Sequence, residues 1–149
     1  MFDNGKLVNY GKFNAEVVGA NIGDRLEFIR NKIRKLIEDN QIEEVIMEDI
    51  QMQGNVVNNV QTFKILAEVF GVISELLIEM KIPQSAVLAS SWKSALGIKG
   101  RARAEQKQNA QKWVVDTYSV KPTQDECDAI CIGAHRNKHT PDIGFDWAD

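Results

Sequence analysis

Apolar positions recur along this chain with two different periods, and the switches between them outline its elements. From Ile22 to Asn40 the apolar residues fall at 22, 26, 29, 33, 36 and 37, the spacing of an amphipathic helix that leaves Arg30, Lys32, Arg34 and Lys35 largely outward. This helix leads into Val45-Ile46-Met47-Glu48-Asp49-Ile50, a short, mostly β-branched apolar run with the composition of a strand covered on both faces of an α/β sheet. Glu48 is then expected at the carboxyl end of a central strand, the edge where open α/β sheets place their ligands, while Asp49 alternates to the other side. Upstream, residues 2–13 read as a hairpin of two antiparallel strands, with Asn4-Gly5 supplying the positive φ angles of a two-residue turn. Gly54 and the Asn-rich stretch to Asn59 read as a loop. Val60 to Met80 reads as a long helix closed off by Pro83, with more apolar residues than one core face needs, so it is either central or a dimer surface. Ser85 to Ser90 holds another short strand, Ser90 or Ser91 caps a short helix, and Gly97 to Gly100 is a basic loop. A helix over residues 103–118 carries Trp113. Residues 137–149 form a polar, irregular tail in which Phe145 and Trp147 are candidate anchors.

The segment Thr123-Gln124-Asp125-Glu126-Cys127-Asp128-Ala129-Ile130 opens one more helix, because Thr123 and Glu126 have capping-box spacing ahead of an apolar stretch. Asp125 and Asp128 then share a face one turn apart and repel. Asp128 also falls in line with Ile132 on a face expected to pack inward, so its charge needs a partner. A divalent cation held jointly with Glu48 satisfies all three carboxylates. Asp125 reads equally as a first-turn acid stabilised by the helix dipole; Asp128 lies past that turn. His135, two turns further on, has the place of an ordinary surface or core histidine.

A chain of 149 residues, 44% hydrophobic, is long enough to bury a core as one domain spanning 1–149. The longest apolar run, Ile65 to Met80, is interrupted by Glu68, Glu75 and Glu79, so no membrane span is expected and the protein reads as soluble, intracellular and cytoplasmic. Cys127 and Cys131 read as buried thiols, not zinc ligands. The net charge of −3 argues mildly against nucleic acid. It hides a basic block, however: Lys93, Lys99, Arg101, Arg103, Lys107 and Lys112 against the single acid Glu105. Such a block alone is more often a solvated face than a binding surface.

Taken in order, the hairpin, helix, Glu48 strand, helix, strand, basic loop Gly97-Ile98-Lys99-Gly100-Arg101-Ala102 with Glu105-Gln106-Lys107-Gln108, and Asp125-x-x-Asp128-Ala129 followed by His135 resemble the RuvC-type Holliday junction resolvases of the RNase H-like superfamily, phage-type members among them. The resemblance runs from about Leu7 to His135. It implies a mixed sheet flanked by helices and a homodimer that cuts four-way and other branched DNA with Mg²⁺ or Mn²⁺. Glu48, Asp125 and Asp128 would be the catalytic and metal-binding residues, and Gln51, Lys93, Lys99, Arg101, Arg103 and Lys107 the DNA-binding ones. Two positions depart from the family. Its first strand, which carries an aspartate beside the glutamate strand, has no counterpart here, since the chain starts at the hairpin and Asp3 falls at the turn; the site is expected to be one carboxylate short and to cut poorly. Where the family often stacks an aromatic ring on bases, this chain has Gln51, followed by Met52, which points to cleavage with little sequence preference. The main alternative is a junction-binding protein with an incomplete, inactive metal site. The blander reading is an α/β interaction domain whose acids are helix caps.

Overall fold

The computed structural model of the chain describes residues 1–51 and 56–139, with 56–59 and 138–139 as backbone only. The fold is mixed α/β, as the patterning implies, and divides into two compact units: Phe13–Leu88, and Met1–Lys12 together with the chain from Ala89 onward.

In the Phe13–Leu88 unit a 3₁₀ turn, Ala15–Val18, follows Asn14, whose Oδ1 accepts the Glu16 N–H at 2.9 Å. Helix α1 spans Ile22–Asn40, the bounds read from the periodicity. Asn21 caps it by accepting the Asp24 N–H at 3.1 Å, and Gln41 ends it in the left-handed conformation, φ 52°, which Asn-like and amide residues tolerate better than β-branched ones. Strands β3 (Val45–Glu48) and β4 (Gln84–Val87) pair in parallel, with Val45 opposite Gln84 and Glu48 opposite Val87. Helix α2, Val56–Glu79, makes the crossover between them that a parallel pair requires. It begins four residues before the expected Val60, because Asn58 and Asn59 cost only about tenths of a kcal/mol each inside a helix, too little to stop a long apolar one.

Two expectations need correction in this unit. Among the described residues β3 pairs only with β4, so it is not a central strand: Val45 to Met47 are half-buried and Glu48 is exposed. A strand with a ladder on one side has only part of the cover that a central strand receives. Of the four α1 cations expected outward, Lys32 and Lys35 are exposed, but Arg30 and Arg34 turn onto α2. Arg30 bonds both Glu75 and Glu79, and Arg34 Nη2 lies 2.7 Å from Glu79 Oε2. The Glu79 carboxyl is accordingly held below its ordinary range, chiefly by the Arg30 hydrogen bond.

In the other unit, β1 (Phe2–Asp3) and β2 (Lys6–Leu7) form the expected hairpin. Asn4 and Gly5 both have positive φ, 48° and 79°, the signature of a type I′ turn. The second strand stops at Leu7, well short of Phe13. Helices α3 (Ala89–Ala95), α4 (Arg103–Tyr118) and α5 (Gln124–His139) complete the unit, with α5 packed on both others. Since α3 starts at Ala89, Ser90 and Ser91 lie inside its first turn instead of capping it. The buried side chains include Trp92, Val114, Cys127, Ile130 and Cys131.

Phe2 ties the hairpin to the helices of this unit. Phe2 meets Tyr118 edge to face, centroids 5.9 Å apart, and lies flat enough on α5 that a Cβ built on Gly133 would fall 2.6 Å from Phe2 Cδ2. Only a glycine admits that approach. Gly133→Ala is expected to destabilise the protein by about 1–3 kcal/mol, the usual cost of forcing a packed group aside. Denaturant unfolding measures it, and the double variant with Phe2→Leu should recover part of the loss.

Candidate functional site

The basic loop is held rigidly by the first turns of α4. Gln106 reaches back so that its Nε2 donates to Gly100 O at 3.0 Å, the Arg101 N–H donates to Glu105 Oε2 at 2.9 Å, and Asn109 Nδ2 donates to Lys99 O. Gly97 sits at φ +71°. At Gly100 an added Cβ would lie 2.9 Å from Gln106 N, so the backbone passes too close for any side chain. Lys99, Arg101, Arg103 and Lys107 are exposed on this frame. Lys93 is half-buried, with Nζ 5.4 Å from the Trp92 ring centre and donating to Gln106 Oε1 at 3.3 Å. One amide, Gln106, thus fixes both the loop and the lysine. Sequence reading placed it within a motif but assigned it no role.

The acidic helix starts as its capping box predicts: the Thr123 N–H donates to Glu126 Oε1 at 3.0 Å and the Glu126 N–H to Thr123 Oγ1 at 3.4 Å. The Thr123 N–H, and the Thr123 hydroxyl that donates to the same oxygen at 2.8 Å, hold the Glu126 carboxyl below its ordinary range, leaving it committed to the cap. Asp125 is exposed and Asp128 half-buried, and the two act on each other electrostatically. Burial, the largest effect, raises the Asp128 carboxyl above its ordinary range; Asp125 pushes the same way, and the Gln124 hydrogen bond, Lys93 and Lys107 pull it back. Gln124 Nε2 lies 3.0 Å from Asp128 Oδ1. The structure therefore brings together four of the expected residues around α5: Asp125, Asp128, Lys93 and Lys107.

Glu48 belongs to the other unit, at the exposed end of β3, and Gln51 is exposed just beyond it. Met52 lies outside the described residues. Asp49 is occupied by the backbone, its N–H on Val87 O at 2.8 Å and its Oδ1 accepting the Ile50 N–H. Asp3 lies in β1, next to the turn. His135 is half-buried on α5. Cys127 and Cys131 are buried free thiols, as expected, and the hydrogen bond Cys131 donates to Cys127, followed by burial, pushes the Cys131 thiol up, away from any thiolate role. Among the described residues no three His, Cys, Asp or Glu side chains are gathered to hold a metal ion, and no helix is long and apolar enough to cross a membrane.

The fold matches a solved structure of the Thermus thermophilus RuvC protein with a TM-score of 0.61 at 18% identity, over 80% of this chain and 69% of that one. That likeness defines the class: an RNase H-like α/β fold. The sequence pattern of one family, Crossover junction endodeoxyribonuclease RuvC, matches residues 4–135. The chain belongs to the RuvC family, nucleases that resolve Holliday junctions. No curated protein matches the sequence.

The burial of Asp128 has a thermodynamic sign. A carboxyl whose folded pKa exceeds its unfolded value favours the fold while protonated, and that contribution is lost as pH rises through the folded pKa. Asp128→Asn, which keeps the oxygen that accepts from Gln124, is therefore expected to raise the melting temperature at neutral pH. The gain should vanish below about pH 4, where the unfolded carboxyl is also protonated. Thermal melts of both proteins at the two pH values measure this difference.

Proposed function

We propose that this chain is a divalent-metal-dependent endonuclease that cuts Holliday junctions and other branched DNA, with Glu48, Asp125 and Asp128 as its metal-binding and catalytic carboxylates. The observation that carries the reading is Asp128: a half-buried carboxylate, raised by burial and by Asp125, with Lys93 and Lys107 acting on it, in a chain of the RuvC family. The donors suit Mg²⁺ or Mn²⁺ in kind, since such hard cations take carboxylate oxygens and a cation relieves the repulsion between Asp125 and Asp128. When bound, the metal supplies activation of water and stabilisation of the leaving oxygen of a phosphodiester. The chain's own residues do the rest. Gln124 orients the Asp128 carboxylate, Gln106 holds Lys93 and the loop, and Lys99, Arg101, Arg103 and Lys107 bind phosphates as a preset surface. Gln51 offers an amide where a ring would stack, which favours broad selectivity among branched substrates.

Replacing Glu48 by Gln, or Asp128 by Asn, is expected to abolish Mg²⁺- or Mn²⁺-dependent nicking of a four-way junction while binding persists or tightens, because each change removes a negative charge near phosphate. Gel assays of cleavage and binding on the same preparations test this. Cleavage retained in either variant overturns the assignment, and binding with no cleavage by the unmodified chain favours the alternative, a junction-binding protein.

We further propose a twofold homodimer built on α2. Val60 and Leu66 are 48% and 49% exposed, and with half-buried Phe63 and Phe70 they fall within one third of the helix circumference, as i, i+3, i+6 and i+10 do. Large exposed apolar side chains gathered on one face mark an interaction surface. A dimer would match the twofold symmetry of a four-way junction. Sedimentation at micromolar concentration should give a dimer, and Leu66→Glu should give a monomer with an unchanged fold by circular dichroism.

A further inference from the structure

We propose that Gln106 is a positioning residue of the DNA-cutting reaction that acts through Lys93: its amide ties the lysine near Asp128 to the backbone of the phosphate-binding loop, so that a phosphate seated on the loop finds the ammonium already placed. The inference rests on the DNA-cutting function proposed above and deepens it by separating capture of the phosphate from cleavage. Gln106 is half-buried in the first turn of α4, and both ends of its amide are used. Nε2 donates to Gly100 O at 3.0 Å, and Oε1 accepts from Lys93 Nζ at 3.3 Å. Chemistry allows this orientation alone. A carbonyl only accepts and an ammonium only donates, so the amide must turn its NH2 to Gly100 and its oxygen to Lys93.

Each end of this bridge is held a second time. The Gly100–Arg101 peptide is gripped by both of its polar groups, the oxygen by Gln106 and the N–H by Glu105 Oε2 at 2.9 Å. A Cβ at Gly100 would fall 2.9 Å from Gln106 Cγ, so the glutamine lies directly on that backbone. Lys93 in turn stands over the ring of buried Trp92, with Nζ 5.4 Å from its centre, and acts electrostatically on Asp128. Order in the loop does not by itself call for the lysine contact, because Glu105 and Asn109 also bond residues 99–101. What that contact adds is a set place for the ammonium relative to the loop. Misplacing a group by about 1 Å at a reacting centre can cost on the order of a hundredfold in rate.

The test uses the whole chain. Gln106→Met keeps the length of the side chain and loses both bonds; Lys93→Met removes the ammonium at the other end. Binding to a labelled four-way junction is measured by anisotropy without metal, and nicking under single turnover with saturating Mg²⁺. Gln106→Met is expected to lower the nicking rate on the order of tenfold, the size of one hydrogen bond to a charged group. Its dissociation constant should stay within about twofold, because the exposed cations Lys99, Arg101, Arg103 and Lys107 still meet phosphate. Lys93→Met should lower the rate at least as far, and the double variant no further than Lys93→Met alone. Losses that multiply would show Gln106 acting by another route and overturn the proposal. Equal falls in binding and in rate would overturn it too, as the mark of a loop that has merely lost order. A second measurement needs no cleavage. Exchange of the Arg101 N–H, followed by NMR, is expected to quicken several-fold in Gln106→Met, and also in Lys93→Met, where the change reaches the peptide through Gln106. Unchanged exchange in Lys93→Met overturns the tie between lysine and loop. An unmodified chain that binds the junction without nicking it overturns the DNA-cutting function and the positioning role with it, whereas nicking by that chain with multiplying losses or unchanged exchange overturns the positioning role alone.

Discussion

A carboxylate that is half removed from water is the constraint to which the chemistry of this molecule returns. Asp128 sits on α5 between Cys127 and the apolar stripe of Ile130, Cys131 and Ala134, so the packing that holds α5 in place also strips solvent from the acid. Desolvation of a charge costs far more than an exposed ion pair returns. The chain answers with groups that favour the ionised form: the Gln124 amide, Lys93 and Lys107. They offset the cost without removing it, and Asp125, one turn away, adds to it. Such a residue is expensive as structure. The metal-binding role proposed above accounts for that expense.

The same helix explains why the surrounding frame is stiff. Its capping box commits Thr123 and Glu126 to each other and leaves Asp125 exposed in the first turn. Across from it, α4 spends three polar side chains, Glu105, Gln106 and Asn109, on the carbonyls and amide of residues 99–101. Polar bonds of this sort, half-buried at Gln106 and exposed at Glu105 and Asn109, contribute little net stability but fix one geometry. Cations carried on so restrained a loop present a nearly constant field, which is what the phosphate-binding role proposed above asks of them.

Much of this was legible in the residues alone. The bounds of α1 and α4, the Asn4-Gly5 turn and the Thr123–Glu126 box follow from local rules: periodicity, positive φ and reciprocal capping depend on residues a few positions apart. The fold class and the family followed from the order of those elements together with the acidic and basic motifs. What did not follow depends on partners distant in sequence. Arg30 and Arg34 looked like solvated charges, although Glu75 and Glu79 repeat their four-residue spacing 45 positions later, the one signal that could have paired them. The position of β3 in its sheet was misread as central because an apolar composition reports what a strand would tolerate, not how many neighbours it has. Likewise the start of α2 was placed late because asparagines suggest a loop, while a long apolar helix overrides so weak a preference.

Local and distant contributions meet at the site itself. Asp125 and Asp128 are three residues apart, so their mutual repulsion is written in the sequence; the burial that dominates Asp128 is not, because it depends on how α5 packs, and α3 and α4 both pack on it. Lys93 and Lys107 acquire their place near the acid the same way, through Gln106 and through the burial of Trp92 beneath Lys93. The Asp125–Asp128 pair is thus a local pair of like charges whose conflict is sharpened by the core behind it and moderated by nearby cations. Any substitution that loosens the contact of α4 with α5 should therefore act on the chemistry of Asp128 before it acts on the integrity of the fold, since the acid loses its compensating lysines while the capping box and the hairpin remain intact.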